Sequence, residues 1–252
     1  MHRVALVTGG AQGLGAAVAR RLRRDGLAVA VADVNSAGAL ALAQEIGTAE
    51  EAMGLTVDVA VDESVDAAVA AVEERFGRLD VLVNSAGIIS RRPAEETLTS
   101  AWNHELDVNL GGTMRCCRSS FRLLRSGDNA VIINFASVAS TFGLPLRLAY
   151  STTKSGIVGM TRTLAAEWGG EGIRVVAIAP GYIDTSLMRS GFDQGVLDEQ
   201  SILRRTPLRR LGEADEIASV ASFLASSDAS FVTGIMIPAD GGVTISGDFR
   251  PD

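Results

Sequence analysis

The stretch that decides the fold reads Val-Ala-Leu-Val-Thr-Gly-Gly-Ala-Gln-Gly-Leu-Gly and covers residues 4–15. Its first four residues are all apolar, which is typical of a strand buried on both faces of a sheet. The glycines that follow let the backbone approach a ligand closely, and the helical pattern after them offers N-terminal amides to a pyrophosphate. A buried strand, a glycine-rich turn and a helix in this order predict a dinucleotide-binding unit, with a ligand-free tight turn as the alternative.

The rest of the chain continues this alternation of strand and helix. Apolar runs predict strands at 27–32, 55–59, 79–83, 131–135, 174–179 and 235–237. Helical periodicity predicts helices at 37–46, 62–76, 99–125, 150–168 and 214–225. Short glycine-bearing links join these elements, as in the βαβ units of a parallel sheet. No linker, repeat or low-complexity tract interrupts the pattern, so we predict a single α/β domain over residues 1–252.

Composition narrows the class of partner. The chain is 47% hydrophobic and 21% charged, which is enough apolar material for a core on both faces of a sheet. A formal net charge of −7 argues against nucleic acid or an anionic membrane as the main partner. Adjacent Cys116 and Cys117 cannot easily meet disulfide geometry, and the N-terminal strand leaves no room for a signal peptide. We therefore expect a cytoplasmic protein with reduced cysteines.

An acidic residue, Asp33, ends the second predicted strand, about 20 positions after the glycines, where a dinucleotide-binding unit hydrogen-bonds the adenosine ribose. A carboxylate at this position would repel a 2′-phosphate. Gln12 occupies the position before Gly13, where an Arg or Lys could pair with such a phosphate. The sequence therefore favours NAD over NADP.

Tyr150 and Lys154 are four residues apart at the start of a predicted helix, so their side chains share one face. A nearby ammonium favours the phenolate, and Lys154 is therefore expected to lower the Tyr150 pKa and prepare an acid/base group. Two surface neighbours without a function are the alternative. Ser137 follows the fifth strand, at the sheet edge that faces the ligand crevice in open parallel sheets. Asn109, a poor helix former, is either a packing amide or part of a polar relay.

Residues 186–212 look irregular and are expected to form a substrate lid, because structureless spans of this length are uncommon in compact domains. Four arginines lie near the end of this span: Arg204, Arg205, Arg209 and Arg210. They would either attract an anionic substrate or form a solvated face, and the solvated face is the commoner arrangement.

Taken together, these motifs resemble the short-chain dehydrogenase/reductase family, in its branch of chains of this length. The resemblance covers essentially the whole chain. It is carried, in order, by the glycine turn, Asn84-Ser85-Ala86-Gly87, Asn109, Ser137, Tyr150-x-x-x-Lys154, Pro180-Gly181 and Asp240-Gly241-Gly242. It implies a doubly wound Rossmann-like sheet of seven parallel strands with helices on both faces. It also implies a nicotinamide cofactor, reversible alcohol/carbonyl interconversion of a small molecule, and a homotetramer.

The resemblance also implies roles for single residues. Tyr150 would exchange a proton with the substrate oxygen, and Ser137 would polarise that oxygen. Lys154 would lower the Tyr150 pKa and bind the nicotinamide ribose, while Asn109 would hold a water that connects Lys154 to solvent. The positions expected to line the cofactor are Gly9, Gln12, Gly13, Leu14, Gly15, Asp33, Asp58, Val59, Asn84, Ala86, Gly87, Tyr150, Lys154, Pro180, Gly181, Ile183 and Thr185. The candidates for the substrate pocket are Ser137, Val138, Leu144, Tyr150, Tyr182, Leu187 and Met188.

Two positions depart from the family pattern, since Ser85 and Val176 stand where an Asn is usual, and both departures are expected to affect local packing. No metal site is expected, because the chain has only two histidines. The leading hypothesis is an NAD-dependent secondary alcohol or polyol dehydrogenase. One alternative is an NADPH-dependent carbonyl or 3-oxoacyl-(acyl-carrier-protein) reductase, against which Asp33 and Gln12 argue. The other is a catalytically silent NAD-binding module, against which the complete set of four catalytic candidates argues.

Overall fold

The computed structural model describes residues 2–247 and contains one seven-stranded sheet with the strand order β3-β2-β1-β4-β5-β6-β7. Every neighbouring pair is parallel. The strands are β1 (Val4–Thr8), β2 (Ala28–Asp33), β3 (Ala52–Thr56), β4 (Val81–Asn84), β5 (Val131–Phe135), β6 (Arg174–Pro180) and β7 (Met236–Ala239). The predicted doubly wound parallel sheet of seven strands is confirmed.

Helices cover both faces of this sheet. They are α1 (Gly13–Arg24), α2 (Ser36–Ile46), α3 (Asp62–Phe76), α4 (Thr99–Leu106), α5 (Gly112–Arg125), α6 (Leu148–Trp168), α7 (Ser186–Asp193), α8 (Glu199–Arg205) and α9 (Ala214–Ala225). Alternate strand residues point to opposite faces. Ala5 and Val7 therefore pack with the α1, α2 and α9 side, whereas Val4 and Leu6 pack with the α3 and α5 side.

The site is positioned by the reversal of strand order between β1 and β4. Successive strands are added outward from β1 in one direction up to β3, and from β4 in the other direction up to β7. At such a switch point the loops after the two central strands separate and leave a crevice at the carboxyl edge of the sheet. Here these loops are the glycine turn after β1 and the segment that begins with Ser85 after β4.

The prediction for the third strand was wrong in its boundaries, because β3 spans Ala52–Thr56 rather than 55–59. Gly54, which interrupts the apolar pattern, lies inside the strand. A Cβ on Gly54 would stand 2.7 Å from the backbone of Leu40, so the glycine lets α2 pack directly on β3. Asp58 and Val59 consequently lie in the loop beyond the strand.

Two helical predictions also need correction. The single helix predicted at 99–125 is divided by a π-helical turn at Asp107–Gly111, which contains Asn109. The segment predicted to be irregular at 186–212 contains α7 and α8. Each of these two helices has a side-chain N-cap, since Thr185 accepts a hydrogen bond from Met188 N and Asp198 accepts one from Ser201 N.

Candidate active site

The glycine turn combines left-handed backbone with close packing. Gly9 has φ +63° and Gly13 has φ +56°, a region that favours glycine. A Cβ on Gly9 would lie 2.7 Å from the Ala86 backbone nitrogen, and one on Gly15 would collide with the Gly9 carbonyl. The turn thus joins the start of α1 to the loop after β4, and neither junction has room for a side chain.

Asp33 lies at the end of β2 directly beside this turn. Its Oδ2 accepts a hydrogen bond from Ala11 N at 3.0 Å, and its Oδ1 accepts one from Asn35 N at 2.9 Å. Within residues 2–247, the hydrogen bonds that reach this carboxylate come from backbone amides and none comes from an Arg or Lys. Gln12 is the N-cap residue of α1, and its side chain makes no capping hydrogen bond.

Other predicted cofactor positions surround the crevice with different degrees of exposure. Leu14 is partly buried against the core, and Asp58 is exposed after β3. Val59 is buried against α5, where a Cβ on Gly112 would stand 2.6 Å from Val59 Cγ2. Asn84 is buried at the end of β4 and donates to Asn134 Oδ1 at 2.9 Å, so its side chain contacts the protein interior.

The segment after β6 forms the opposite wall. Gly181 N donates to Ala239 O, and a Cβ on Gly181 would stand 2.6 Å from Asp240 Cα. Pro180 therefore ends β6 against the Asp240 loop. Ile183 is buried and bridges to Gly212, and Thr185 caps α7.

The structure brings Asn109, Lys154 and the loop after β4 together. Asn109 is fully buried, its Oδ1 accepts from Ile88 N at 2.8 Å, and its Nδ2 donates to Ile88 O at 2.9 Å. A Cβ on Gly87 would stand 3.2 Å from Asn109 Oδ1 and 3.8 Å from Lys154 Nζ. Asn109 therefore fastens this loop through its amide, and π-helical turns of the kind that carries it are frequent at functional sites.

Lys154 is buried, and its Nζ donates to the Phe135 carbonyl at 2.7 Å, at the carboxyl end of β5. The ammonium lies 5.7 Å from the centre of the Tyr150 ring. Burial lowers the pKa of Lys154 to about 8, and the nearby carboxylate of Glu105 opposes that shift. At neutral pH the amine therefore remains mainly charged.

The Tyr150 hydroxyl faces Ser137, which ends the loop from β5 and caps the turn Val138–Ser140. Burial raises the pKa of Tyr150, the hydrogen bond with Ser137 lowers it, and Arg147 and Arg91 lower it through their charge. Glu105 raises the same pKa. In the protein alone, burial outweighs the groups that favour the phenolate, so the pKa of Tyr150 is raised. The role of Lys154 in lowering that pKa stays a prediction.

Sequence reasoning missed two charged residues of the site. Glu105 is buried in α4, its Oε2 accepts from Ser90, and its Oε1 has no hydrogen-bond partner within residues 2–247. Arg147 is buried one residue before α6, and its Nη1 donates to Pro145 O at 2.8 Å. The available signals were a carboxylate within a core-facing helical pattern and a cation three residues before Tyr150, one helical turn away.

The substrate candidates are spread around this centre. Val138 is buried, whereas Leu144, Tyr182 and Met188 are partly exposed, and the side chain of Leu187 lies outside the described part of the structure. Burial raises the pKa of Tyr182, and Arg205 and Arg147 lower it through their charge.

The four arginines near the end of the predicted lid separate into two groups. Arg205 stacks over Phe142, with its guanidinium 4.5 Å from the ring centre. The other three make contacts at the exposed surface: Arg204 with Ser201, Arg209 with the Arg204 carbonyl, and Arg210 with Glu216. Arg205 also acts through its charge on Tyr182, a candidate for the substrate pocket.

Across residues 2–247 the chain has no helix long and apolar enough to cross a membrane. The same residues contain no group of three His, Cys, Asp or Glu side chains arranged for a metal. Cys116 and Cys117 are free and buried, and burial raises the pKa of both thiols, that of Cys116 to about 12.

Comparison with known proteins identifies the family. A family profile described as enoyl-(acyl carrier protein) reductase matches residues 9–244. D-Threitol dehydrogenase from Mycolicibacterium smegmatis is 43% identical over 96% of this chain and 93% of its own length. 3-Oxoacyl-(acyl-carrier-protein) reductase FabG from Pseudomonas aeruginosa is 36% identical over 97% of this chain and 98% of its own.

A solved structure of a dehydrogenase is also similar to this chain. Sorbitol-6-phosphate 2-dehydrogenase SrlD from Erwinia amylovora superposes with a TM-score of 0.91 at 33% identity, and the match covers 95% of this chain and 98% of that one. This chain therefore belongs to the short-chain dehydrogenase/reductase family, and it is an oxidoreductase that acts on CH–OH groups with a nicotinamide cofactor.

Proposed function

We propose that the enzyme catalyses the reversible, NAD-dependent oxidation of a secondary alcohol, polyol or related hydroxy compound to a ketone. The observation that carries the proposal is the meeting of Ser137, Tyr150 and Lys154 at the carboxyl edge of the sheet. The glycine turn lies beside them across the switch point. A proton-exchanging group and a dinucleotide site then share one crevice.

The groups around the glycine turn fit a dinucleotide. Gly9 and Gly13 keep the backbone free of side chains at the N-terminus of α1, where amide donors favour a pyrophosphate. Asp33 retains lone pairs for ribose hydroxyls after accepting its two amide hydrogen bonds. Its negative charge disfavours a 2′-phosphate, which supports NAD rather than NADP.

When bound, the nicotinamide supplies the hydride acceptor for alcohol oxidation. Tyr150, as the phenolate, accepts the proton of the substrate hydroxyl, and in the reverse direction it returns this proton to the ketone oxygen. Ser137 donates a hydrogen bond to the same oxygen and holds it against Tyr150. The buried ammonium of Lys154 would hold the nicotinamide ribose, and Asn109 would hold a water that links Lys154 to solvent.

The region 186–212 is proposed to act as the substrate lid. Gly191 in α7 packs beside Arg91, since a Cβ there would stand 3.5 Å from Arg91 Nη2. The lid helices therefore reach across to the loop after β4. Closing such a lid excludes water and completes the pocket.

We also propose a cytoplasmic homotetramer. Large apolar side chains are exposed near the edge strand β7, with Phe231 fully exposed and Ile235 and Phe223 about half exposed. Exposed apolar surface next to a free strand edge is typical of an interface between copies.

The test is a panel of secondary alcohols, polyols and ketones, assayed with each cofactor by the absorbance of the reduced form. Oxidation with NAD that exceeds oxidation with NADP supports the proposal. A preference for reducing 3-oxoacyl thioesters with NADPH would instead favour the 3-oxoacyl reductase alternative. The similarity to the Pseudomonas enzyme is the reason to include this substrate class. Tight NAD binding without turnover across the panel would favour the silent module.

A further inference from the structure

Arg147 is a buried cation that has no counter-ion among residues 2–247. Its exposed fraction is 8%, and within the described part of the chain its guanidinium donates one hydrogen bond, from Nη1 to the Pro145 carbonyl. Among residues 2–247 it forms no salt bridge, and the groups that act on it through charge are Arg91, Tyr150 and Tyr182. A buried charge without a partner is costly, so such groups are normally paired or bind a ligand.

The backbone holds this cation against the catalytic centre. Leu146, the residue before it, has φ +66°, a strained conformation for a branched side chain. The Leu146 carbonyl accepts a hydrogen bond from Arg92 N at 2.8 Å, which joins the turn to the loop after β4. Strain that the surroundings maintain in this way is concentrated at functional sites.

Positive charge accumulates around the mouth of the pocket. Arg91 and Arg147 both act on Tyr150, and Arg147 and Arg205 both act on Tyr182. No carboxylate is among the groups that act on Arg147 or Tyr182 within the described residues. The carboxylate of Glu105 acts on Tyr150 and Lys154, and it is not among the groups that act on Arg147.

We propose that the pocket accepts an alcohol or ketone that carries an anionic group, a carboxylate or a phosphate ester, and that Arg147 binds this group with support from Arg91 and Arg205. The inference rests on the proposed function. It places the anionic group at the end of the substrate that lies away from the carbon oxidised beside Tyr150. The anionic group of the substrate supplies the negative charge that would pair with the Arg147 guanidinium.

A purely structural role for Arg147 accounts for less of the geometry. The bond to Pro145 uses one of five N–H donors, and a carbonyl does not neutralise a guanidinium. The planar fork of an arginine matches a carboxylate or phosphate through paired hydrogen bonds, which are stronger than neutral ones. The remaining donors of Arg147 have no protein partner among residues 2–247.

The test compares substrates that differ only in the anion. Both enantiomers of 3-hydroxybutyrate are assayed against 3-hydroxybutyramide, and a tetritol phosphate against the free tetritol, with NAD. We expect the anionic member of at least one pair to have the higher kcat/KM, and the pair that responds identifies the anion. Arg147→Gln should reduce the anionic-to-neutral ratio by about 10- to 100-fold, the range for a charged hydrogen bond. Arg147→Lys should keep part of the ratio.

The matched control is Arg24→Gln, which removes the same charge from the exposed end of α1 and should leave the ratio unchanged. A wild-type ratio at or below one for both pairs, or an equal ratio in wild type and Arg147→Gln, would overturn the inference. A ratio of rates cancels any general loss of activity in the variant.

A second measurement separates this inference from the proposed reaction. The melting temperature of the enzyme with saturating NAD is recorded with each member of the two pairs. If no compound is oxidised, an upward shift caused by the anionic member in wild type and lost in Arg147→Gln supports the anion site and rejects only the NAD-dependent oxidation. The absence of any anion-specific shift in wild type, together with an absence of turnover, rejects the anion site.

Discussion

At the scale of single residues, the pKa of Tyr150 is set by competing neighbours. Burial and Glu105 raise it, and Ser137, Arg147 and Arg91 lower it. The family chemistry needs the phenolate for oxidation, so these groups control how much of the enzyme is in the active protonation state at a given pH.

Replacing Tyr150 by Phe removes the proton-exchanging hydroxyl while preserving the ring. We expect kcat to fall by about 100- to 10,000-fold, the usual contribution of a positioned acid/base, with the NAD dissociation constant changed by a few-fold at most. Initial rates and a fluorescence titration with NAD check this. Tyr182→Phe is the matched control and should retain most of the turnover. Wild-type rates in Tyr150→Phe would show that another group carries the proton.

Glu105→Gln keeps the shape and the acceptor for Ser90 but removes a negative charge. Because the Glu105 carboxylate raises the pKa of Tyr150, its loss should lower that pKa, and the acidic limb of kcat/KM for oxidation should move to lower pH. The measurement is the pH profile of wild type and variant. Asp107→Asn, which alters a partly exposed carboxylate that lies two residues further along the chain and pairs with Arg115, should leave the limb in place. A shift to higher pH would contradict the assigned electrostatics.

Asp33→Ser tests the cofactor preference. Removing the carboxylate should relieve repulsion of a 2′-phosphate, and the ratio of kcat/KM for NAD over NADP should fall by about 10-fold or more, as expected for one close charge pair at a surface. Kinetics with both cofactors measure the ratio. Asp58→Ser, which alters an exposed carboxylate on the next loop, should change the ratio much less. An unaltered ratio in Asp33→Ser would remove Asp33 from the ribose site.

Predictions about single residues succeeded where the spacing along the chain alone determines which side chains are neighbours. The four-residue separation of Tyr150 and Lys154 was enough to predict that they share a helical face. It could not reveal that Lys154 points to the Phe135 carbonyl, since that contact depends on the packing of α6 against β5. Glu105 and Arg147 were missed for a related reason. Charged residues are normally exposed, and whether one is buried depends on segments that are distant in the sequence.

At the scale of elements, a buried chain of polar side chains connects the sheet to α6. Asn84 donates to Asn134, and Asn134 donates to Thr161 Oγ1 at 3.0 Å. Asn134 and Thr161 are at most 1% exposed. Buried polar groups of this kind are costly when one partner is removed, because the other then lacks its hydrogen bond.

Thr161→Val removes the last acceptor of this chain with little change in volume. We expect the free energy of unfolding to fall by about 1–3 kcal/mol, the desolvation cost of the orphaned Asn134 amide. Urea unfolding monitored by circular dichroism measures the change. Thr152→Val, on the exposed face of the same helix, is the control and should cost about 0.5 kcal/mol or less. Equal losses in both variants would mean that helix propensity, rather than the buried hydrogen bond, explains the effect.

Element boundaries were less predictable than element types. The β3 prediction followed the apolar run at 55–59, whereas the strand begins at Ala52 and uses the missing side chain of Gly54 to approach α2. The two lid helices were missed because Gly191, Gly195 and Pro207 made the segment look irregular. Their N-cap residues, Thr185 and Asp198, were the local signal for both helices. Regular alternation of buried strand and helix, by contrast, was sufficient for the order of the major elements.

At the scale of the whole molecule, the sheet was predictable because parallel βαβ units allow few topologies once the strand and helix order is known. The crevice lies where the strand order reverses, so the topology also predicts where in the fold the site is found. The arrangement of charge at the pocket mouth was not, since Arg91, Arg147 and Arg205 come from three separate segments.

The proposed assembly gives a prediction at this scale. Light scattering should give a mass about four times the 26.3 kDa of the chain. Phe231→Glu should shift the enzyme toward smaller species, because it introduces a charge into the exposed apolar surface beside β7. Val34→Glu, at an exposed apolar residue far from β7 in the sheet order, serves as the control and should leave the mass unchanged. A monomeric wild type would rule out the tetramer.

The contact of Gly9 with Ala86 has a consequence for how this enzyme can be redesigned. No side chain separates the turn after β1 from the loop after β4, and that loop is in turn fastened by Asn109. Enlarging the turn to retune cofactor choice would therefore displace the backbone next to Lys154 as well. Engineers should expect coenzyme swaps made at Asp33 to be tolerated, and swaps made at Gly9 to disable turnover together with coenzyme affinity.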